Sequence, residues 1–363
     1  MVNKKDNKIF TPVIAIPPGE TIKENMEFLG MNQEELAARL GITTKHLSNI
    51  INGNAPITYE TALRLENVIG PSAEFWMELE TQYQLDKARI EKEQELSIDL
   101  EIIKEIPYNK MSKYGWVPET SDRKERVKNS RDFFGVANLG LIKSSYAVMF
   151  RKQKLKHEIS DLSVLAWLRK AEIKGNSIEV SEFNKAKLKN LIPTFRSLTL
   201  KTPEEFYPEM KKLCAGCGIV LTLVHDLPKT YICGATIWRN NRAILALSVR
   251  GKRADIFWFT YFHELAHLIN HSKKEFHISY ENDNMEDEAD LLASDYLIPD
   301  KLYNKFIEEY NYSNKLEIIK YASDIKISPC ILVGRLLHDK KLQDYGQYSD
   351  LRPSFEIVNQ NNN

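Results

Sequence analysis

Apolar and polar positions along this chain change period several times, and each change marks an element. Between residues 32 and 51 the apolar positions recur at helical spacing in two short blocks on either side of Gly41. Asn32 can cap the first block, with Glu35 three residues on completing a capping box. Thr43 can cap the second block, residues 44–51, and Asn52-Gly53 closes it as a helix C-terminus should. This pattern predicts two helices joined by a tight glycine turn, with Ala37, Ile42, Leu47 and Ile50 facing inward. Residues 83–106 instead carry closely spaced opposite charges with no breaker before Pro107, which predicts a solvated connecting helix. Amphipathic helices are expected at 123–134, 161–173 and 181–195, punctuated by Pro118, Gly135, Gly140, Gly175 and Pro193. After a helix at 203–213 come strands at 219–224, 232–238 and 243–247, the last two joined as a hairpin by residues 239–242. An apolar helix at 256–269, a helix following Met285, and two helices around Ile327-Ser328-Pro329 complete the pattern. The two around Pro329 echo a second helix-turn-helix, but their apolar faces are better read as packing on the 256–269 helix. Residues 359–363 form a polar end that is expected to be disordered.

The apolar helix at 256–269 contains His263-Glu264-Leu265-Ala266-His267. Side chains four apart on a helix lie one turn above each other, so both imidazoles leave the same face and can bind one Zn²⁺. Glu264 then stands beside the metal, placed as a general base. A random chain of this composition would contain such a string with a probability on the order of one in a hundred. The surroundings are apolar, and buried His and Glu side chains need partners. The longer pattern with Gly and a third His fails, because Asn270 and Lys273 stand at those positions. His271 shares the face of His267 one turn further on and is better placed to support a ligand than to be one. The third ligand is therefore sought downstream, where Glu286 and Asp290 are four apart: one carboxylate can bind zinc while the other orients a ligating His. Glu286 is the favoured ligand, with Glu288 the alternative. An oxyanion donor can come from His277, Tyr280 or Tyr296, among which the residues do not choose.

These residues resemble the ImmA/IrrE family of zinc metallo-endopeptidases, over about 203–342. The resemblance implies a small zincin domain with zinc on His263, His267 and Glu286, Glu264 as catalytic base, and a short sheet whose edge strand can pair with an extended peptide substrate. Asp290 stands where Asn is common in the family and Leu292 where Phe is common; neither change touches the ligands.

The N-terminal region carries a separate signal. Pro18-Gly-Glu-Thr-Ile22, Met31-Asn-Gln-Glu-Glu-Leu-Ala37, Asn52-Gly-Asn-Ala-Pro-Ile-Thr58 and Ser72-Ala-Glu-Phe-Trp-Met-Glu-Leu79 resemble the HigA branch of the Xre-type DNA-binding family. This implies a five-helix domain, dimeric, in antitoxins that repress their own operons. Thr44, Lys45, His46 and Asn49 would then meet base edges and Gln33 a phosphate. Charge pulls the other way: residues 20–70 hold four Lys or Arg against seven Glu, a balance of −3, so attraction to phosphate should be weak.

The expected fold class is α+β, mostly helical. Residues 1–16 form an arm, 17–85 a helix-turn-helix domain, 86–202 a helical connecting region, 203–345 a zincin-like domain with a small β-sheet, and 346–363 a polar tail. Fifty basic residues against fifty acidic ones name no partner for the whole chain. No apolar run reaches membrane-spanning length and the first nine residues lack a signal core, so the expected location is cytoplasmic, with no membrane partner. Four cysteines are too few for a disulfide framework, and Cys214-Ala-Gly-Cys217 has no second pair to complete a metal knuckle, which favours buried thiols. The aromatic and basic run at 150–157 is read as a solvated loop. The expected partners are operator DNA, a protein substrate (a repressor or toxin) and a second copy of the chain. Two readings follow: a DNA-binding regulator that cleaves a partner protein, and a non-proteolytic antitoxin-like repressor whose zincin fold serves as sensor or scaffold.

Overall fold

The computed structural model describes residues 13–145, 159–239, 241–251, 253–270, 277–280, 287–343 and 346–357. The chain divides into two compact units, Met1–Asp99 and Leu100–Asn363. The fold is α+β and mostly helical.

In the first unit helices α1 (Gly19–Leu29), α2 (Gln33–Leu40), α3 (Thr44–Ile51) and α4 (Tyr59–Ile69) are followed by α5 (Ala73–Ile102), one unbroken 30-residue helix. The Asn32 carboxamide accepts from the Glu35 amide at 2.8 Å, and the Thr43 hydroxyl accepts from the His46 amide at 3.1 Å. The other half of the capping box does not form, because the Glu35 carboxylate pairs with Arg39 one turn on. Gly41 takes the left-handed conformation, φ 67°, that the tight turn between α2 and α3 requires. Ala37, Leu47 and Ile50 are buried with Leu36, Leu65 and Trp76, while Ile42 is half-buried at the edge of that core. The separate connecting helix expected at 83–106 is the continuation of α5. Nothing between Ala73 and Ile102 interrupts the helical ladder, since Pro71 precedes it and Pro107 follows.

The second unit opens with α6 (Tyr108–Lys113), α7 (Arg123–Phe134), α8 (Ile142–Ser145), α9 (Asp161–Asn176), α10 (Lys185–Ser197) and α11 (Pro203–Ala215). α9 runs past the end expected at 173, and α10 begins four residues later than expected and ends at Ser197. Gly175 lies inside α9 because an added Cβ would come within 2.6 Å of Ile244, so the glycine serves close packing on the sheet. Pro193 lies inside α10 on its exposed side, where water can satisfy the carbonyl it frees. Seven consecutive buried residues, Leu162 to Leu168, place α9 against the sheet, so this part of the stretch expected to connect domains belongs to the core of the second unit.

The sheet holds β1 (Ile219–Leu223), β2 (Ile232–Arg239), β3 (Arg242–Leu247) and β4 (His277–Tyr280) in the order β1-β3-β2-β4. β2 and β3 form the expected antiparallel hairpin, β1 runs parallel to β3, and β4, which the sequence pattern misses, pairs antiparallel with β2 through a bulge at 232–234. Across the sheet lies α12 (Ala254–Asn270), followed by α13 (Asp287–Leu297), α14 (Asp300–Glu309), α15 (Lys315–Asp324) and α16 (Pro329–His338). α12 packs on the sheet, α13 and α16; of the two helices around Pro329, α16 packs on α12 as expected, while α15 packs on α16. Residues 346–357, expected to begin a polar tail, dock on the start of α12. There Tyr348 and Arg352 are buried, Phe355 packs on Phe206 and Phe257, and the Ala254 amide donates to the Pro353 carbonyl at 2.8 Å. No helix among the described residues is long and apolar enough to cross a membrane.

Candidate functional site

α12 is apolar almost all round, with Phe257, Trp258, Tyr261, Phe262, Leu265 and Leu268 in the core. Against that background three polar members at its centre stand out: His263, Glu264 and His267 are 5%, 0% and 4% exposed. Each needs a specific partner to offset its desolvation. The helical spacing brings the Nε2 atoms of His263 and His267 to 2.8 Å of one another, so both lone-pair directions converge on one region. The opposite nitrogen of His263, Nδ1, lies 2.8 Å from the Asp290 carboxylate on α13, which fixes the ring and keeps Nε2 as the acceptor.

The Glu264 carboxylate, close to both imidazoles, also reaches the sheet. Its Oε2 accepts from the Thr236 hydroxyl on β2 at 2.7 Å and its Oε1 from the Ser279 hydroxyl on β4 at 2.6 Å. Burial pushes the carboxyl above the usual carboxylate range, opposed by the two nearby imidazoles and the two hydroxyl bonds. Gly234 allows this approach, because a Cβ there would sit 2.6 Å from Oε1. Thr236, Ser279 and Gly234 are residues that sequence reasoning did not identify. Finding them required the β2–β4 pairing, in which Gly234 lies opposite Ser279.

The remaining expected groups distribute as follows. Glu286 and His271 lie outside the described residues, as do the side chains of His277 and Tyr280 and the run 150–157. Glu288 is exposed at the start of α13. Tyr296 lies six residues beyond Asp290, on another face of the same helix. Among the described residues no group of three or more His, Cys, Asp or Glu side chains is arranged to hold a metal ion. The paired Nε2 donors and the carboxylate-anchored ring nonetheless suit Zn²⁺, which takes imidazole nitrogen readily and accepts a carboxylate as a further ligand. Cys214, whose thiol burial pushes up to about 12, contacts the Tyr261 hydroxyl at 3.3 Å, and Cys217 is buried nearby. Both are inert packing thiols in this setting.

In the first unit α3 exposes Thr44, Lys45 and His46, while Asn49 and, on α2, Gln33 are half-buried. Three of the four basic residues between 20 and 70 are ion-paired within the unit: Lys23 with Glu20, Arg39 with Glu35 and Arg64 with Glu60. Arg64 also donates to the Leu40 carbonyl at 2.8 Å and so braces the turn between α2 and α3. Lys45 has no carboxylate partner among the described residues.

Comparison with known proteins agrees with this division. Residues 22–76 match the family model described as helix-turn-helix, and residues 218–337 match the M78 peptidase model described as IrrE N-terminal-like domain. Virulence-associated protein I of Dichelobacter nodosus is 32% identical over 80 residues, which cover 22% of this chain and 74% of that protein. The uncharacterized HTH-type transcriptional regulator YddM of Escherichia coli (strain K12) is 32% identical over 71 residues, 20% of this chain and 76% of its own. The chain belongs to the Xre-type helix-turn-helix family. Its second unit adds the IrrE-like domain, which spans β1 through α16 apart from the last residue of that helix. Among solved structures, an addiction module antidote protein of a HigA family from Coxiella burnetii is 35% identical, covering 23% of this chain and 94% of that one, with a TM-score of 0.22.

Proposed function

We propose that this Xre-family protein binds operator DNA through α3 and carries a zinc-dependent endopeptidase that hydrolyses a peptide bond in a regulatory or partner protein, such as a repressor or toxin. The observation that carries the proposal is the convergence of His263 and His267, braced by Asp290, one residue from a buried glutamate that both its hydroxyl partners hold in place.

His263, His267 and Glu286 would hold the metal. Glu286 is preferred to Glu288 because it stands four residues before Asp290, which reaches His263, whereas Glu288 is exposed. A zinc ion bound there supplies a Lewis acid and lowers the pKa of water toward neutrality. Asp290 accepts the Nδ1 proton of His263 and keeps that ring in one orientation. Glu264 takes the proton of the attacking water on a carboxylate oxygen and returns it to the departing amine. The hydroxyls of Thr236 and Ser279 fix its rotamer through that exchange, and burial raises its affinity for the proton. A homodimer and a toxin partner are the further expectations that the HigA-like resemblance brings.

Metal removal tests this reading. Protein loaded with zinc, washed and analysed for metal should retain one ion per chain and cleave a peptide library, and treatment with a chelator should abolish the cleavage until zinc is restored. Retention of no zinc after washing leaves the antitoxin-like repressor reading standing alone. For the DNA arm, Lys45→Ala should cost about 1–3 kcal/mol of operator affinity and relax specificity at the base pair that it reads. Weakening by the same factor on operator and unrelated DNA in a binding titration would show that Lys45 meets a phosphate instead.

A further inference from the structure

Charge is divided unevenly along the chain. Among the described residues, 13–99 hold seven Lys or Arg against fifteen Asp or Glu, whereas 100–212 hold nineteen against thirteen. Duplex DNA is held largely through its phosphates, and the helix-turn-helix unit, acidic overall, offers them little. The basic surplus lies in the second unit, and part of it is gathered at one place. β1 is an edge strand flanked by α9 and α11. Lys170 and Lys174 stand one turn apart on α9, as do Tyr207 and Lys211 on α11. Both pairs meet at Leu223, the last residue of β1: the Lys174 Nζ donates to the Leu223 carbonyl at 2.8 Å, and the Tyr207 hydroxyl is hydrogen-bonded to the Leu223 backbone. The Lys211 Nζ stands 5.7 Å from the centre of the Tyr207 ring and the Lys170 Nζ 5.9 Å from that of Trp116. The line continues through Tyr114, whose ring is 5.9 Å from that of Trp116, to Lys110, 5.6 Å from the Tyr114 ring.

None of these four lysines has a carboxylate partner among the described residues, whereas Arg169 and Arg239 close by share Glu172. Burial, with the charges of Lys170 and Lys211, holds the Lys174 ammonium below the usual lysine range. Like charges gathered without an acid repel one another, and an anion bound among them removes that cost. The rings fix where the ammonium groups stand and leave them N–H donors to offer. We propose that Lys110, Lys170, Lys174 and Lys211 form a phosphate-binding stripe by which the second unit grips the backbone of duplex DNA without reading its sequence. Spread over α6, α9 and α11, the four suit a repeating polyanion better than one small anion, and lysine meets phosphate as a point charge. The proposal rests on the DNA-binding reading for its partner, though not on α3 for its affinity.

Binding of the full-length chain to a duplex of arbitrary sequence, followed by fluorescence anisotropy against salt, tests the stripe. Lys170→Gln, Lys174→Gln and Lys211→Gln together should lower the slope of log affinity against log salt by about two to three. From about 50 to 200 mM salt the triple variant should therefore lose about 15- to 60-fold less affinity than the parent. Lys170→Gln with Lys211→Gln, which spares the Lys174 bond to Leu223, is the second variant if the first does not fold, and should lower the slope by about two. Lys301→Gln, Lys305→Gln and Lys320→Gln remove the same charge from exposed positions on α14 and α15 and should leave the slope unchanged. An equal fall in that control, an unchanged slope in the folded variants, or no binding of duplex by the parent at low salt overturns the stripe. Capture of polyglutamate in place of DNA, lost in the triple variant, overturns it as well and makes the partner an acidic peptide. Preference for operator over arbitrary sequence should stay the same in the stripe variants, because α3 sets it. A parent that binds duplex through these lysines yet prefers no sequence counts against α3 alone.

Discussion

Glu264→Gln should lower peptide-bond hydrolysis by about 10²–10⁴-fold while zinc content and operator affinity stay unchanged. The substitution preserves shape and leaves the imidazole pair untouched, and the Thr236 and Ser279 hydroxyls can rotate to meet a carboxamide as they now meet the carboxylate. What is lost is the ability to take up a proton. Single-turnover cleavage of a library peptide, read beside metal analysis and a DNA-binding titration of the same preparation, separates the three properties. Hydrolysis at the parental rate would place the general base on another residue, and loss of zinc would show that Glu264 supports the metal instead.

The second large effect concerns stability. Arg352→Ala should cost about 3–5 kcal/mol, because it leaves the Asp255 carboxylate buried beside α16 without the guanidinium that donates two hydrogen bonds to its Oδ2. The partners are 97 residues apart and tie the chain's end to the start of α12, so the loss should appear as a lower urea midpoint for the second unit. Replacing Asp255 by alanine in the same protein should recover part of it, since no orphaned charge then remains. A change under about 1 kcal/mol for the single variant would mean that water reaches Asp255 once the arginine is gone.

Local chemistry made some elements legible in the sequence. The caps at Asn32 and Thr43 and the left-handed Gly41 are decided by neighbours within three or four residues, and they appear where the pattern puts them. α12 was legible from its apolar run, and the convergence of two histidines follows from helical periodicity alone. Contacts between distant segments were not legible. β4 is four residues long and gains its place only by pairing with β2, and the grip of Ser279 on Glu264 depends on that register. Gly175 reads as a breaker until Ile244 arrives from β3, 69 positions later in the sequence, to occupy the space a side chain would need. Arg352 sits in a stretch rich in polar residues, and no periodicity announces that it will be buried. The capping box failed by half for a related reason, because Glu35 has Arg39 as a competing partner on its own helix face.

Helix α12 is enclosed on nearly every side, with all residues from Phe257 to Ile269 buried except the partly buried Phe259. Amides in such an element exchange with solvent only when the surrounding unit opens as a whole. Deuterium uptake there should match the unit's global unfolding rate, and the rate at which a bound ion escapes should follow the same opening. Slow escape would therefore reflect the depth at which the donor nitrogens are set as much as the strength of their bonds.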